Sequence, residues 1–243
     1  MIISVMARLD TVKDIVTNTE ASLAKKLEFN VNTTTVVLVA NAHNPSLLNP
    51  DFLKLNEVVP ADWDVDETIT TPGISYVKYV NGVTVQVEPG RCLVSQAGVG
   101  QFRDSYEIHD VAKKYVRVLP HIPYHGVGVN WEFSVEKKNA FRWLRDRFLK
   151  PGDWRNFGGR MRSAEYKFSI ELEGAVLNLG IKPAKFKMPD NGEVFEVAVV
   201  DANFHTVVKP TEIESICVAI DRYPEFQAHL LDVAQKFISG RFA

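Results

Sequence analysis

The sequence contains only two cysteines in 243 residues, Cys92 and Cys217. Neither belongs to a C-x-x-C pair, which excludes a zinc ribbon and a thioredoxin-type redox site. Both lie in apolar runs, so we expect two reduced and buried thiols. A disulfide between them would be unusual in a cytoplasmic protein.

Long hydrophobic runs are also absent. No stretch approaches the roughly 18 uncharged apolar residues that a membrane helix needs. The apolar start, residues 1–6, is too short for a signal peptide and is followed at once by Arg8 and Asp10. We therefore expect a cytoplasmic protein with no membrane contact. The net charge of −2 provides no overall attraction to nucleic acid or anionic lipid, so any such interaction needs a local cluster of charge.

The catalytic motifs G-x-x-x-x-G-K-[ST] and G-x-S-x-G do not occur. His121 and His125 have the four-residue spacing of two metal ligands on a helix, but Pro120, Pro123 and Gly126 exclude a helix there. On an extended segment the two imidazoles would lie about 13 Å apart, too far for one metal ion.

Asp62, Asp64 and Asp66 alternate as in the first half of a calcium-binding loop. Such a loop needs glycine at its sixth position and glutamate at its twelfth, where this chain has Glu67 and Gly73. We therefore interpret the segment as an acidic, solvated loop. No metal and no cofactor are expected for this chain.

Hydrophobic residues make up 46% of the chain, enough for a substantial core without disulfides. Helical periodicity predicts helices at residues 8–27, 105–118, 136–149 and 224–238. Runs rich in β-branched residues predict strands at residues 33–39, 74–80, 83–87, 91–95, 124–135, 166–172, 175–181 and 194–208. The first strand is continuously apolar, which favours burial on both faces.

Two turns predict how the strands pair. Asn81-Gly82 and Glu173-Gly174 each separate two β-rich runs, which is typical of a tight antiparallel hairpin. Gly98 and Gly100 predict a glycine-rich turn. Residues 41–73, rich in Asn, Asp and Pro, predict a long connection with one helical turn near residues 52–55.

These elements predict an α+β fold with antiparallel strands and with helices packed on one face of the sheet. We expect an N-terminal helix within residues 1–30 and two α+β halves, residues 31–150 and 151–243, in one continuous globular unit. The halves resemble each other as a possible internal repeat. The alignment sets residues 82–89 against 174–181, and residues 128–133 against 201–206.

Residues 137–167 combine ten Lys or Arg side chains with three carboxylates, and aromatic rings and glycines alternate with the cations. This composition is typical of surfaces that contact nucleic-acid backbones and unstacked bases, and arginine also suits an acidic protein surface. The leading hypothesis is a non-enzymatic binding protein that contacts nucleic acid or an acidic protein partner through residues 142–162. The candidate contact residues are Arg142, Arg145, Arg147, Trp154, Arg155, Phe157, Arg160 and Arg162.

Three alternatives stay open. The arginines could form the solvated face of an ordinary helix, paired with the acidic segment 51–67. The chain could be a structural subunit of a larger complex. It could also be an enzyme whose site lies near Asp201, Asn203 and His205, which alternate along one strand and so share a face.

Overall fold

One antiparallel sheet organises the chain in the computed structural model, which describes residues 29–152, 158–159, 161–187, 193–210 and 212–239. Its nine strands are β1 (Asn30–Ala40), β2 (Val65–Thr70), β3 (Ser75–Tyr79), β4 (Val83–Glu88), β5 (Arg91–Gly100), β6 (Tyr124–Glu136), β7 (Tyr166–Leu172), β8 (Ala175–Lys187) and β9 (Val194–Val207). Their spatial order is β2-β3-β4-β5-β1-β6-β9-β8-β7. β1 and β6 therefore lie at the centre, and a meander extends from each of them to one edge.

Helices cover one face of this sheet. They are α1 (Pro50–Leu55), α2 (Glu107–Val118), α3 (Ala140–Phe148), α4 (Ile213–Asp221) and α5 (Tyr223–Ser239). Helix α2 packs on β1 and β5, α3 on β8 and β9, and α4 on β6. The predicted α+β class is confirmed. Within the described residues, no helix combines the length and the hydropathy that crossing a membrane requires.

Side chains alternate between the two faces of the sheet along each strand. On β1, Thr34 and Val36 are buried beneath the helices, whereas Thr35 and Val37 are half-buried on the other side. We call these two sides the helix-covered face and the open face. The predicted burial of residues 33–39 is complete only on the helix-covered face.

The core is built from apolar rows that cross the strands of the helix-covered face. In one row Val36 lies opposite Val129, Val129 opposite Phe204, and Phe204 opposite Leu177. Helix α5 closes this row, because Phe226 stacks on Phe204 with ring centroids 4.5 Å apart. These contacts bury the apolar surface that drives folding of the central strands.

Both predicted hairpins are present. The Asn81-Gly82 turn joins β3 to β4, and the Glu173-Gly174 turn joins β7 to β8, in each case as antiparallel neighbours. Gly82 has a φ of +85°, a conformation that favours glycine, and a Cβ atom there would lie 3.2 Å from the carbonyl oxygen of Ala97.

Several predicted boundaries were wrong. Residues 65–70 form the edge strand β2 inside the expected long connection. The glycines at 98 and 100 have positive φ but lie within β5 instead of forming a turn. Helix α3 begins at Ala140, after Asn139 in the left-handed conformation, and α4 was not predicted. The helix expected at residues 8–27 lies outside the described residues.

The strand order does not confirm the predicted repeat. Residues 128–133 on β6 and 201–206 on β9 pair directly with each other, with Asn130 opposite Asn203. The likeness between these two segments therefore belongs to adjacent strands of one sheet. The internal repeat stays a prediction.

Candidate functional site

A cavity of about 710 Å³ lies on the open face, on the half of the sheet formed by β1, β6, β9, β8 and β7. Two rows of residues cross these five strands in register and line it. The first row is Thr35, Asn130, Asn203, Asn178 and Ser169, and the second is Thr33, Glu132, Asp201, Gly180 and Lys167. The cavity volume falls in the range typical of small-molecule sites, about 300–1,000 Å³.

The first row is a relay of side-chain hydrogen bonds. The Asn203 amide donates to Oδ1 of Asn130 over 2.5 Å, and the Asn178 amide donates to Oδ1 of Asn203 over 3.5 Å. The Ser169 hydroxyl donates to Oδ1 of Asn178 over 3.1 Å. Adjacent strands are about 4.8 Å apart, so the relay holds uncharged polar groups in a line across four strands.

The second row carries charge beside the amide row. Glu132 Oε1 accepts a hydrogen bond from the Asn32 amide over 3.0 Å. The Asp201 carboxylate accepts one from Lys182 over 3.0 Å, and this contact raises the pKa of the Lys182 ammonium. Gly180 has no side chain, so the floor of the cavity is open between Asp201 and Lys167.

Two glycines of β6 make room for the side chains of β9. A Cβ atom at Gly128 would lie 3.1 Å from the Asn203 amide nitrogen and 3.3 Å from Oδ1 of Asn130. A Cβ atom at Gly126 would lie 2.8 Å from Cε1 of His205. The glycines therefore allow Asn203 and His205 to lean over the central strand.

Two of the three residues in the predicted enzyme site line this cavity. Asp201, Asn203 and His205 share the open face, as their alternation predicted. Asp201 and Asn203 line the cavity, whereas His205 lies in the next row, opposite Gly128, and does not line it. The cavity lining thus brings together three carboxylates and three amides, and the imidazole lies outside it.

The predicted basic surface is only partly within the described residues. Arg142, Arg145 and Arg147 lie on α3, and Arg162 is exposed before β7. Asp146 accepts hydrogen bonds from Arg145, the shortest of 2.7 Å, and lies 3.6 Å from Arg142. The other four predicted contact residues, which lie outside the described part of the chain, are Trp154, Arg155, Phe157 and Arg160.

Two acidic residues of the segment 51–67 have partners far from α3. Asp66 pairs with Lys78, and Tyr76 donates a hydrogen bond to Glu67, both between β2 and β3 at one edge of the sheet. Helix α3 packs on β8 and β9 near the opposite edge.

No metal site emerges from the described part of the chain, because no group of three or more His, Cys, Asp or Glu side chains there could hold an ion. His125 instead makes a 3.3 Å hydrogen bond with the side chain of Asn41. The expectation of no bound metal stays a prediction.

Sequence reasoning missed most of the cavity. It identified Asp201 and Asn203 but not Asn130 and Asn178. Asparagine is depleted in strands, so three asparagines in strand interiors were the signal that could have marked this face. Their convergence depends on strand order, which the sequence did not provide.

No protein-family model matches this chain, and a search of curated proteins finds no match either. The open-face cavity and the basic residues on α3 are therefore the two features of the molecule from which we infer a function.

Proposed function

We propose that this protein binds an uncharged small molecule rich in hydroxyl groups, such as a sugar or a cyclitol, in the open-face cavity. The observation that carries the proposal is the amide relay of Asn130, Asn203 and Asn178 along the cavity floor. Buried and half-buried polar groups are usually paired, and a row of them on one side of a cavity supplies orientation and specificity to a ligand.

The relay leaves hydrogen-bonding capacity for a ligand. Each amide carries two N–H donors and a carbonyl oxygen with two lone pairs. The relay uses one N–H of Asn203 and one of Asn178, so the second N–H of each is available. A ligand hydroxyl both donates and accepts, so it can accept from an amide while donating to Glu132 or Asp201 in the neighbouring row.

Charge in the second row favours a neutral ligand over an anion. Glu132, Glu165 and Asp201 contribute carboxylates to the lining, against the single ammonium of Lys167. The Lys182 ammonium pairs with the Asp201 carboxylate and neutralises its charge. A phosphate or carboxylate placed in the cavity would face the remaining negative charge at short range, which costs free energy in a partly desolvated site.

The residues that line the cavity are better suited to binding a ligand than to catalysing a reaction. Amides and hydroxyls are neither acids nor bases near neutral pH, so the central row can orient a ligand but cannot transfer its protons. The second-row carboxylates of Glu132 and Asp201 could transfer protons, but they are held in hydrogen bonds by Asn32 and Lys182. His205, the histidine nearest in sequence to Asn203, lies one row further along β9, about 6.6 Å from Asn203 along the strand. An enzyme site near Asp201, Asn203 and His205 and a role as a structural subunit stay alternative hypotheses.

We also expect the protein to act in the cytoplasm. Cys92 and Cys217 are both buried and unpaired. Burial raises the pKa of both thiols, which keeps them protonated and unreactive.

The test is a binding screen followed by one substitution. The panel contains neutral monosaccharides, disaccharides and inositol, with glucose 6-phosphate and spermidine as charged comparisons, and saturation-transfer NMR detects binding. We expect at least one neutral compound to bind with a Kd below about 1 mM. Asn203→Ala should weaken that binding by about tenfold, because it removes the central member of the relay and one to two hydrogen bonds of roughly 0.5–1.5 kcal/mol each.

Thr84→Ala is the matched control. Thr84 lies in the same cross-strand row, on β4, and outside the cavity. This substitution should leave the Kd unchanged. Failure of every neutral compound to bind, binding of glucose 6-phosphate alone, or equal weakening by both substitutions would overturn the proposal.

A further inference from the structure

We infer that α3 and the residues next to it bind the phosphate backbone of a nucleic acid. The contact surface, which we call the α3 basic surface, comprises Lys137, Lys138, Arg142, Arg145, Arg147 and Lys150. This inference is independent of the open-face cavity, which lies on the other side of the sheet and has an acidic lining.

Positive charge on this surface exceeds what its own carboxylate can neutralise. Asp146 is the only acidic residue between Lys137 and Lys150. It already contacts both Arg142 and Arg145. One carboxylate among six cations leaves a strong local positive potential on a protein whose net charge is −2.

The acidic residues of β2 are too distant to cancel this potential. Strand β2, which carries Asp66 and Glu67, is separated from β9 by five strands. At about 4.8 Å per strand the separation is on the order of 29 Å, well beyond the Debye length of about 8 Å at physiological salt. The pairing of the basic stretch with the acidic segment, which the sequence allowed, is therefore excluded for Asp66 and Glu67 and the described cations of α3.

The sheet holds α3 in a fixed orientation. Ala140 and Leu144 are buried against the sheet, and Phe148 stacks on Phe237 of α5 with ring centroids 4.6 Å apart. Just before the helix, the backbone N–H of Lys137 donates a 3.0 Å hydrogen bond to the carbonyl oxygen of Glu196 on β9. These contacts anchor α3, and the Arg142 side chain on its outer side is 76% exposed.

Two cations crowd one aromatic ring on this surface. Lys137 Nζ lies 5.2 Å from the centroid of Trp143, and the Arg147 guanidinium lies 5.5 Å from it. Burial, and then the like charge of Arg147, lower the pKa of the Lys137 ammonium. An open depression of about 540 Å³ lies beside the Trp143 ring. It is lined by Lys138, Asn139, Arg142, Trp143, Asp146 and Arg147.

The dimensions favour a nucleic acid. Helix α3 has nine residues and is therefore about 13 Å long, with Lys138 and Lys150 just beyond its two ends. One nucleic-acid strand carries a phosphate about every 3.4 Å of axis, so about four phosphates can face this length. Arginine guanidinium groups also match phosphate oxygens in a bidentate fork. An acidic protein partner would instead need carboxylates whose individual positions match these cations. Binding to such a partner is the alternative outcome of the test.

The test is a salt titration of binding to short double-stranded DNA and single-stranded RNA. We expect detectable binding at about 50 mM salt and a linear fall of log K with log salt. Four phosphate contacts on DNA predict about a 150-fold loss between 50 and 200 mM. The double variant Lys138→Gln/Arg142→Gln should reduce the slope by about two, because each lost phosphate contact contributes about 0.9.

The control is Lys209→Gln/Lys236→Gln, which removes two exposed cations that pair locally with Glu212 and Asp232. This variant should keep both the affinity and the slope. Absence of DNA and RNA binding at 50 mM salt, binding of polyglutamate in preference to both, or equal effects of the two double variants would overturn the inference.

Discussion

Phe204→Ala is expected to lower the free energy of unfolding by about 3–5 kcal/mol. Phe204 is fully buried at the centre of β9, where its ring stacks on Phe226 and meets Trp131 edge-on with centroids 5.9 Å apart. Its removal loses the transfer free energy of the ring and leaves a cavity between the sheet and α5. Urea denaturation followed by circular dichroism measures the change.

Two further variants control for this result. Phe204→Leu keeps most of the volume and should cost clearly less. Phe186→Ala removes an aromatic ring of β8 that is 45% exposed and should cost little. Equal destabilisation by Phe204→Ala and Phe186→Ala would show that the packing of α5 on the sheet is not as described.

Acidification is expected to destabilise the fold through His109. The imidazole is 3% exposed, and its two nitrogens have no hydrogen-bond partner. The ring stacks on Tyr223 with centroids 3.9 Å apart. Burial lowers the pKa of His109 from 6.5 to about 4; the nearby backbone of Tyr106 raises it in part, and the charges of Lys113, Asp110 and Asp221 adjust it by smaller amounts.

The direction of this pH dependence follows from the linkage between proton binding and folding. Below pH 6.5 the His109 imidazole is protonated in the unfolded chain, whereas in the folded chain it stays neutral down to about pH 4. The free energy of unfolding therefore falls as the pH falls from 6.5 to about 4. With roughly 1.36 kcal/mol per pKa unit, His109 should account for a loss of about 2 kcal/mol between pH 7 and pH 5. Burial also lowers the pKa of His43, which adds to the loss in the same direction.

His109→Phe separates this contribution from the rest. Phenylalanine can keep the stacking on Tyr223 and leaves no unpaired nitrogen, so the variant should be at least as stable at pH 7. Urea denaturation at pH 7, 6 and 5 should show a pH dependence reduced by about 2 kcal/mol relative to the natural chain. An unchanged pH dependence would refute the assignment to His109.

Much of the fold follows from local sequence signals. The Asn81-Gly82 and Glu173-Gly174 turns specify their hairpins, because each joins two β-rich runs at a position where glycine relieves backbone strain. Strand β1 was recognisable from its β-branched residues. Here local preference and tertiary structure agree.

Other elements depend on contacts that a local pattern does not contain. Strand β2 is exposed along its whole length and owes its conformation to pairing with β3, not to buried apolar residues. Helix α4 carries the apolar run around Cys217, which a periodicity argument cannot distinguish from a buried strand. The start of α3 is shifted because β6 continues to Glu136 and the Lys137 N–H still bonds to the Glu196 carbonyl oxygen of β9, so the helix begins only after Asn139.

The candidate site was predictable only in part, for the same reason. Alternation correctly placed Asp201 and Asn203 on one face. Asn130 and Asn178 join them only because β6 and β8 flank β9, and this order follows from long-range pairing.

The most direct test of the central claim is an NMR titration of the side-chain amides with the neutral sugar or cyclitol panel. The ¹H–¹⁵N signals of Asn130, Asn178 and Asn203 should shift together and saturate with one Kd. The amides of Asn81 and Asn139, which lie outside the cavity, should stay in place. Absence of shifts with every neutral compound, or shifts confined to Asn139 beside α3, would contradict ligand binding on the open face.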